Sequence, residues 1–180
     1  SAPNATNDSA STDEDTSVNV DVLANDDDPD GDSLSIQNVA SPSNGTATDN
    51  VDGTITYTPD TNYNGSDSFD YTISDGNGGT DTATVNITVN DINDAPTADA
   101  GSNQTVEDSD GDGSETVTLD GSGSSDVDGT ISSYSWEDEG GTEIATGETT
   151  DVALNTGSHD ITLTITDDDG GTGSDSVTIT

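Results

Sequence analysis

The chain has 180 residues and contains 39 Asp and Glu but no Lys or Arg, which gives a formal net charge of −39. A field of this sign repels nucleic acids and anionic membranes, so both are excluded as partners, whereas divalent cations are attracted. No apolar run approaches the roughly 18 residues of a membrane-spanning helix, so membrane insertion is not expected.

The low apolar content, 25% of the residues, combined with high charge is typical of disordered chains. The arrangement of the apolar residues favours a fold instead, because they alternate with polar residues in short runs. Such a fold would bury little apolar surface and would suffer severe charge repulsion. Bound metal ions and high salt are two physical remedies, and the composition leaves both open.

Period-2 alternation predicts strands in the first half, and the usual helix-forming patterns are absent. Turn sequences separate the runs, as at Asp52-Gly53 and Asp75-Gly76, and short strands with such turns are typical of an antiparallel β-sandwich. The predicted strands lie around residues 18–22, 34–36, 55–57, 69–73 and 83–89, and the other predicted turns at Pro29-Asp30-Gly31, Asn44-Gly45 and Asn64-Gly65.

The second half repeats this style with different residues. Strands are predicted around 117–119, 131–136, Ile144, 161–165 and 177–179, and Trp136, the only tryptophan, is expected to anchor a core. The fold class is therefore all-β, with two tandem antiparallel β-sandwich domains at residues 1–94 and 95–180.

The loop after the first predicted strand is dense in carboxylate and amide groups. Calcium takes six to eight oxygen ligands, which closely spaced Asp and Asn can supply on a turn. The alternative is a solvated Pro-Asp-Gly turn. Glu14 and Asp15 precede the strand at Val18, and we expect them to reach the same end of the sandwich. The candidate calcium ligands are Glu14, Asp15, Asn25, Asp26, Asp28, Asp30 and Asp32.

A second candidate loop has the Asp-x-Asp-x-Asp-Gly spacing of the front half of an EF-hand loop. Its three aspartates are Asp108, Asp110 and Asp112. The twelfth position is Leu119 rather than Glu, no helices are predicted around it, and Glu115 is the nearest substitute. A flexible acidic turn is the alternative. Further candidate ligands of the same kind are Asp126, Asp128 and Asp167.

The segment 90–96, Asn-Asp-Ile-Asn-Asp-Ala-Pro, joins the two predicted domains, and the chain opens with a similar Ser1-Ala2-Pro3. Asp91, Asn93 and Asp94 carry oxygens suited to calcium. We expect this segment to work with acidic loops of the second domain, including Asp108–Asp112. Glu14 and the turn at Asp28 and Asp30 would then serve a preceding junction near Ser1.

Catalysis finds little support in the residues. Without Cys, Lys or Arg, several nucleophile and oxyanion-binding chemistries are excluded. The single histidine, His159, enters a predicted strand and is interpreted as structural, and a zinc site has neither thiols nor a second histidine. The chain is therefore expected not to be an enzyme.

Asn-x-Ser/Thr sequons begin at six asparagines, and such sequons are acceptors for N-linked glycans. In a chain this rich in Asn, Ser and Thr, several arise by chance, so the pattern alone does not decide whether they are used. The six are Asn4, Asn7, Asn44, Asn64, Asn86 and Asn103.

Residues 12–96 resemble the bacterial cadherin-like tandem repeats of large surface proteins. The resemblance rests on Asp13-Glu14-Asp15-Thr16, Asp28-Pro29-Asp30-Gly31-Asp32, Gly53-Thr54-Ile55-Thr56-Tyr57 and Asp91-Ile92-Asn93-Asp94-Ala95-Pro96. It implies an Ig-like sandwich in an extracellular array, with calcium at the domain junctions. By this likeness the implied ligands are Glu14, Asp28, Asp30, Asp91, Asn93 and Asp94.

Residues 97–180 resemble PKD-type Ig-like domains. The resemblance rests on Leu119-Asp120-Gly121-Ser122-Gly123, Asp128-Gly129-Thr130-Ile131, Tyr134-Ser135-Trp136 and Leu163-Thr164-Ile165-Thr166-Asp167. It implies a second Ig-like sandwich.

The leading hypothesis is a calcium-stabilised structural repeat of a prokaryotic cell-surface protein, as in an adhesin stalk, a surface layer or a filament. Its expected partners are neighbouring Ig-like repeats or identical subunits, with glycans as a further candidate. The alternative is a carbohydrate-binding or accessory module of a secreted hydrolase, which would need an exposed aromatic platform.

Overall fold

The computed structural model describes all 180 residues, from Ser1 to Thr180. It contains 13 strands and no helix, so the all-β prediction is confirmed. The chain divides into two compact units, Ser1–Ile92 and Asn93–Thr180, whereas the sequence analysis placed the boundary after residue 94. The structure has no helix long and apolar enough to span a lipid bilayer.

Unit 1 is a seven-stranded sandwich of two sheets. One sheet has the order β1-β7-β6-β3 and the other the order β2-β5-β4. The long central strands β6 and β7 alternate buried and exposed residues, as period-2 patterns require. The strands are β1 (Asp8–Asp13), β2 (Val18–Asp21), β3 (Ser35–Val39), β4 (Gly45–Asp49), β5 (Thr54–Pro59), β6 (Gly65–Ser74) and β7 (Thr80–Asn90).

One strand pair of unit 1 is parallel. Strand β1 runs beside β7 in the same direction, from Asp8 opposite Val85 to Asp13 opposite Asn90. The chain then crosses to the other sheet, where β2 pairs with β5 in the antiparallel sense. Residues that directly follow β1 therefore lie at the end of the unit where β7 finishes.

The core of unit 1 lies between its two sheets and borders one buried carboxylate, Asp67. Tyr57 and Tyr71 are fully buried, and Tyr57 stacks on Phe69 with ring centroids 6.2 Å apart. The Tyr57 hydroxyl donates to Oδ2 of the buried Asp67 at 2.9 Å. Asp67 also accepts three backbone N–H groups, so its charge is held by donors rather than by a cation.

Unit 2 has six strands, in sheets of order β10-β9-β12-β13 and β11-β8. Trp136 is completely buried in its core, which confirms the predicted anchor, and its Nε1 donates to the carbonyl of Gly147 at 3.0 Å. The strands are β8 (Ser114–Asp120), β9 (Ile131–Glu137), β10 (Glu143–Thr146), β11 (Thr149–Asn155), β12 (His159–Asp167) and β13 (Thr172–Ile179).

The predicted turns are only partly confirmed. Gly31, Gly53 and Gly76 have φ of 77°, 94° and 72°, the left-handed region that turns require. The predicted turn at Asn44-Gly45 is wrong, because Gly45 begins β4 and pairs with Pro59. The extended partner strand overrides the local turn preference of Asn-Gly there.

Candidate metal centres

Three carboxylates converge where the chain enters unit 1, and we call Asp28, Asp32 and Asp75 the entry cluster of unit 1. One ligand oxygen from each lies within 4.8 Å of the others. Asp28 and Asp32 belong to the loop after β2, and Asp75 begins the turn between β6 and β7. Folding therefore assembles the cluster from two separate loops.

Backbone N–H groups hold these carboxylates in place. Oδ1 of Asp28 accepts from Asp30 at 2.8 Å and from Asp32 at 3.3 Å. Asp75 is only 6% exposed, and its Oδ1 accepts from Asn77 at 2.7 Å and Gly79 at 2.9 Å. Oδ2 of Asp28 is buried and has no hydrogen-bond partner. One oxygen of Asp28 is thus fixed by the protein while the other still lacks a positive partner.

The neighbouring predicted ligands lie outside this cluster. Asp30 is exposed and pairs with the ammonium of Ser1, which lowers its pKa. Asp26 accepts the N–H of Thr6 at 2.7 Å and the Tyr71 hydroxyl at 3.1 Å, and burial raises its pKa. Asn25 is exposed, and its amide donates to the carbonyl of Asn7 at 3.4 Å.

A second acidic set, the exit cluster of unit 1, is formed by Glu14, Asp15 and Asp91. Glu14 is 6% exposed, and its Oε1 accepts the N–H of Ile92 at 2.7 Å. Its Oε2 is buried and without a partner. Asp15 accepts the N–H of Asn62 at 3.2 Å, and Asp91 accepts the Asn64 amide at 2.7 Å. A buried carboxylate oxygen with no donor again marks this end.

The expectation that Glu14 and Asp15 share an end with the loop around Asp28 is wrong. Because β1 is parallel to β7, Glu14 lies beside Asn90, to whose carbonyl its N–H donates at 3.0 Å. Asp75 lies at the other end of β6, which has 10 residues. At about 3.3 Å per residue, the two ends are about 30 Å apart.

In unit 2, residues from three segments meet where the chain enters, and we call Asn93, Asp94, Asp126, Asp128 and Asp167 the entry cluster of unit 2. The Asn93 amide donates to Asp167 Oδ2 at 3.0 Å, and the Asp94 N–H donates to Asp128 Oδ2 at 2.9 Å. Asp126 Oδ2 is buried without a partner. Three groups of predicted ligands, which the sequence analysis treated separately, therefore belong to one region.

Hydrogen bonds set the charge state of Asp167, which is 2% exposed. The Asn93 amide, with backbone N–H groups of Gly171 and Asp169, outweighs burial and lowers the pKa of Asp167. Its Oδ1 accepts from Asp169 at 2.9 Å and Gly171 at 2.8 Å. Asp167 is therefore held as an anion, which is the form that binds metal.

The two entry clusters share one design. Asp75 and Asp167 each begin a five-residue turn and donate their own N–H to the carbonyl of its last glycine. Oδ1 of each accepts two N–H groups of the turn, one of them from that glycine. Asp28 and Asp126 each accept N–H groups of their own loop through Oδ1 and leave a buried Oδ2 unpaired.

Sequence reasoning missed Asp75. It follows Thr72-Ile73-Ser74 and precedes Gly-Asn-Gly-Gly-Thr, while Asp167 follows Thr164-Ile165-Thr166 and precedes Asp-Asp-Gly-Gly-Thr. Aligning these two stretches would have identified the equivalent positions. A single Asp in a glycine-rich turn gives no signal by itself.

Asp108, Asp110 and Asp112 form the exit cluster of unit 2, with ligand oxygens within 4.8 Å of one another, and Asp110 and Asp112 are exposed. Glu115 is not part of this group, because its Oε1 accepts the N–H of Ser109 at 2.6 Å. The expectation that this loop works with residues 91–94 is wrong. The N–H of Val106 donates to Thr180 at 2.8 Å, so the loop lies where the chain leaves unit 2.

The donor set of the entry clusters and of the unit 1 exit cluster fits a hard divalent cation. All three buried side-chain polar atoms without a partner in the chain are carboxylate oxygens, and all three belong to predicted ligands. The chain has no Lys or Arg to neutralise them. His159, the only histidine, begins β12, where its Nε2 lies 2.8 Å from the Asn155 carbonyl. The available ligands are therefore oxygens, as Ca²⁺ prefers.

Two known families match the chain, one in each of the two structural units. The family described as "Bacterial Ig domain" matches residues 1–88, and the family described as "K319L-like, PKD domain" matches residues 100–180. No curated protein matches the sequence.

Several solved structures resemble the chain. Mouse cadherin-23 EC22-24 has a TM-score of 0.53 at 17% identity, over 99% of this chain and 65% of that one. The PKD1 domain of Vibrio cholerae metalloprotease PrtV is 29% identical, over 48% of this chain and 95% of that one, with a TM-score of 0.35. Clostridium thermocellum CbhA fibronectin(III)-like modules have a TM-score of 0.39 at 17% identity, over 96% of this chain and 88% of that one. The cadherin likeness supports the fold alone.

Proposed function

The chain is a bacterial Ig domain followed by a PKD-type domain, and from this premise we propose that it is a calcium-stabilised, non-enzymatic structural module of a prokaryotic surface protein. Domains of these two types are generally non-catalytic and typically occur in extracellular proteins. Calcium binding by the acidic clusters is proposed because the fold buries carboxylate oxygens that no Lys or Arg neutralises.

The main support for calcium binding is that Glu14, Asp28 and Asp126 each have a buried carboxylate oxygen without a hydrogen-bond partner. Leaving a buried acceptor without a donor costs about 1–3 kcal/mol, and more when the group is charged. A folded chain avoids this cost by protonating the group or by binding a cation. At Asp28, ligand oxygens of Asp32 and Asp75 lie within 4.8 Å, so a divalent cation satisfies several carboxylates at once, whereas a proton satisfies one.

Calcium titration with thermal unfolding tests the proposal. An ion that binds only the folded state at 100 times its Kd stabilises it by about 2.7 kcal/mol. For domains of this size that corresponds to a rise in Tm of about 10–20 °C. We expect this rise in calcium over chelator, and a much smaller one in sodium chloride of equal ionic strength. Equal shifts in both salts would show that charge screening alone stabilises the chain.

Isosteric variants separate site binding from general charge effects. Asp28→Asn and Asp126→Asn each remove one negative charge at a candidate site and keep the side-chain shape. Glu139→Gln removes the same charge from an exposed residue outside all the clusters. We expect the two cluster variants to lose most of the calcium-dependent rise in Tm of their own unit, while Glu139→Gln keeps it. Loss of the rise in the control would overturn site-specific binding.

Calcium is further proposed to stiffen the connecting segment 91–94. Carboxylates of unit 1 and unit 2 already hold N–H groups of this segment, through Glu14 to Ile92 and through Asp128 to Asp94. Ions bound to these carboxylates would order the segment from both sides. Small-angle X-ray scattering should give a narrower distance distribution in calcium than in chelator. An unchanged distribution would remove the stiffening while leaving calcium-dependent stability intact.

The proposed setting is an array of Ig-like repeats or identical subunits, as in a stalk, surface layer or filament. The competing role, a carbohydrate-binding module, would need exposed aromatic side chains, and most of those in this chain are buried. Four of the six aromatic side chains are buried, Trp136, Tyr57, Tyr71 and Phe69, while Tyr63 and Tyr134 are half-buried. Two cavities, one in each unit, have no Trp, Tyr or Phe in their walls. Aromatic stacking surfaces for sugars are therefore missing from both.

A further inference from the structure

Two of the six sequons occupy equivalent positions in the two units. Asn7 directly precedes β1 and lies beside Thr84 of β7, the last strand of unit 1. Asn103 precedes the Gln104–Ile179 bridge and lies beside Thr178 of β13, the last strand of unit 2. In both cases the chain begins its parallel pairing with the final strand at the next residue.

Both side chains have the same orientation. Oδ1 of Asn7 accepts the N–H of Thr84 at 2.9 Å, and Oδ1 of Asn103 accepts the N–H of Thr178 at 2.9 Å. A backbone N–H can bond only to the amide oxygen, so these contacts fix which atom is Nδ2. Both asparagines are exposed, and neither Nδ2 makes a hydrogen bond. The fold therefore presents two ordered, unengaged amide nitrogens to solvent.

Other sequons differ from this pattern. Asn64 donates its Nδ2 to Asp91 at 2.7 Å, and Asn86 donates its Nδ2 to the carbonyl of Asp8 at 3.4 Å. Asn44 is half-buried. Asn4 is exposed, but no hydrogen bond orders its side chain. Sequon occurrence alone does not distinguish these positions from Asn7 and Asn103, whereas the structure does.

We propose that Asn7 and Asn103 carry N-linked glycans. The co-reactant is a sugar activated on a polyprenyl phosphate or diphosphate, brought by a separate transferase. Nδ2 forms a bond to the anomeric carbon C1, the bond between C1 and the phosphate oxygen breaks with its electron pair on that oxygen, and one Nδ2 proton passes to solvent. The product is still an amide, so Oδ1 keeps its bond to the last strand.

The position gives the modification a physical role. Strand β1 is an edge strand of the four-stranded sheet of unit 1, and exposed edges invite pairing with other chains. A glycan at the start of that edge blocks such pairing with neutral, hydrated bulk. The inference requires export of the protein but is independent of calcium binding.

The test is glycopeptide mass spectrometry on the protein isolated from its native cells. Cleavage after Asp and Glu is required because the chain has no Lys or Arg. We expect sugar mass on the peptides that contain Asn7 and Asn103, and none on those that contain Asn44 and Asn64. Unmodified Asn7 and Asn103, or sugar only on Asn44 and Asn64, would overturn the proposal.

Variants produced in the native host separate modification from structure. Ser9→Ala and Thr105→Ala destroy the two sequons and keep each asparagine with its Oδ1 bond. We expect loss of the sugar mass at the neighbouring asparagine, with a Tm within a few degrees of the deglycosylated native protein. Sugar that persists in either variant would contradict sequon-dependent glycosylation at that site.

Discussion

The entry clusters of the two units are built alike although the units share few sequence motifs. Each contains a buried aspartate at the start of a glycine-rich turn, Asp75 or Asp167, and an aspartate of an acidic loop, Asp28 or Asp126. In each, the loop aspartate retains a buried oxygen without a donor. Two different domains thus preserve the same unsatisfied carboxylate, which is costly unless a ligand compensates it.

The clusters differ in how much of their charge the protein offsets. In unit 1, Asp32 adds a third carboxylate within 4.8 Å of the other two. In unit 2, the amide of Asn93 donates to Asp167 and lowers its pKa. If the clusters bind calcium as proposed, unit 1 should depend more on the ion than unit 2, where the Asn93 amide offsets part of the charge of Asp167.

The largest expected effect comes from Asp75→Ala and Asp167→Ala. Each change leaves two backbone N–H donors of a buried turn without their acceptor, which costs about 1–3 kcal/mol. Each also removes a proposed calcium ligand, which would be worth up to about 2.7 kcal/mol with the ion at 100 times its Kd. Trp136 fluorescence reports urea unfolding of unit 2 alone, because unit 1 has no tryptophan. Asp167→Ala should shift that transition strongly and Asp75→Ala should not. Equal shifts would mean that the clusters are not independent.

Asp67→Asn should produce the next largest effect, confined to unit 1. Burial opposes ionisation of Asp67, but N–H groups of Asn44, Ser68 and Ser43 and the Tyr57 hydroxyl outweigh it and lower its pKa below the usual 3.8. Hydrogen bonds to a charged group are worth about 1.5–3 kcal/mol, so unit 1 should lose an amount of this order at pH 7.

The pH dependence of stability should also differ between Asp67→Asn and the native chain. Because the folded pKa is lowered, this stabilisation is present above about pH 4 and is lost as the pH falls through the folded value. Unit 1 of the native chain should therefore lose more stability on acidification than unit 1 of Asp67→Asn, measured by calorimetry in chelator. Parallel pH profiles for the two proteins would show that Asp67 is not a stabilising anion.

Asn93→Asp tests the difference between the clusters directly. It replaces the amide that donates to Asp167 with a further carboxylate. We expect calcium to bind unit 2 about tenfold more tightly, since an added charge at about 4 Å contributes about 1–4 kcal/mol. Without calcium, unit 2 should lose about 1 kcal/mol with the hydrogen bond. Isothermal titration and Trp136 unfolding measure the two effects, and weaker binding would contradict the charge argument.

Asp110→Asn should have the smallest effect. The residue is exposed in the exit cluster of unit 2, and exposed substitutions usually change stability by less than about 0.5 kcal/mol. Calorimetric titration of this variant with calcium should still detect binding at the other clusters. A large loss of stability in this variant would place the dominant ion in the exposed loop instead of the buried clusters.

The sequence predicted most strands because their burial alternates along the chain. Strands β6 and β7 show this pattern over 10 and 11 residues. Strand β1, Asp-Ser-Ala-Ser-Thr-Asp, was missed because it is polar, and its place depends on parallel pairing with β7. Strand β4 was missed in part because Asn44-Gly45 favours a turn locally. Pairing partners far along the chain decide both cases, and local patterns carry no information about them.

The ligand types could be predicted from sequence, but their grouping could not. The density of Asp around residue 28 indicates an acidic loop, yet its partner Asp75 comes from another turn. Glu14 and Asp108 were assigned to the wrong ends because the end that a loop occupies depends on strand direction. Asp126 and Asp167 were each weak candidates, and only the pairing of β9 with β12 brings their loops to one end.

A crystal structure of the chain grown in calcium is the strongest test of metal binding at the two entry clusters. We predict density for an ion at each entry cluster, at about 2.3–2.6 Å from Asp28 Oδ2 and from Asp126 Oδ2. The same crystals soaked in chelator should lose both peaks. A structure in calcium in which these two oxygens contact only water or protein donors would contradict the account.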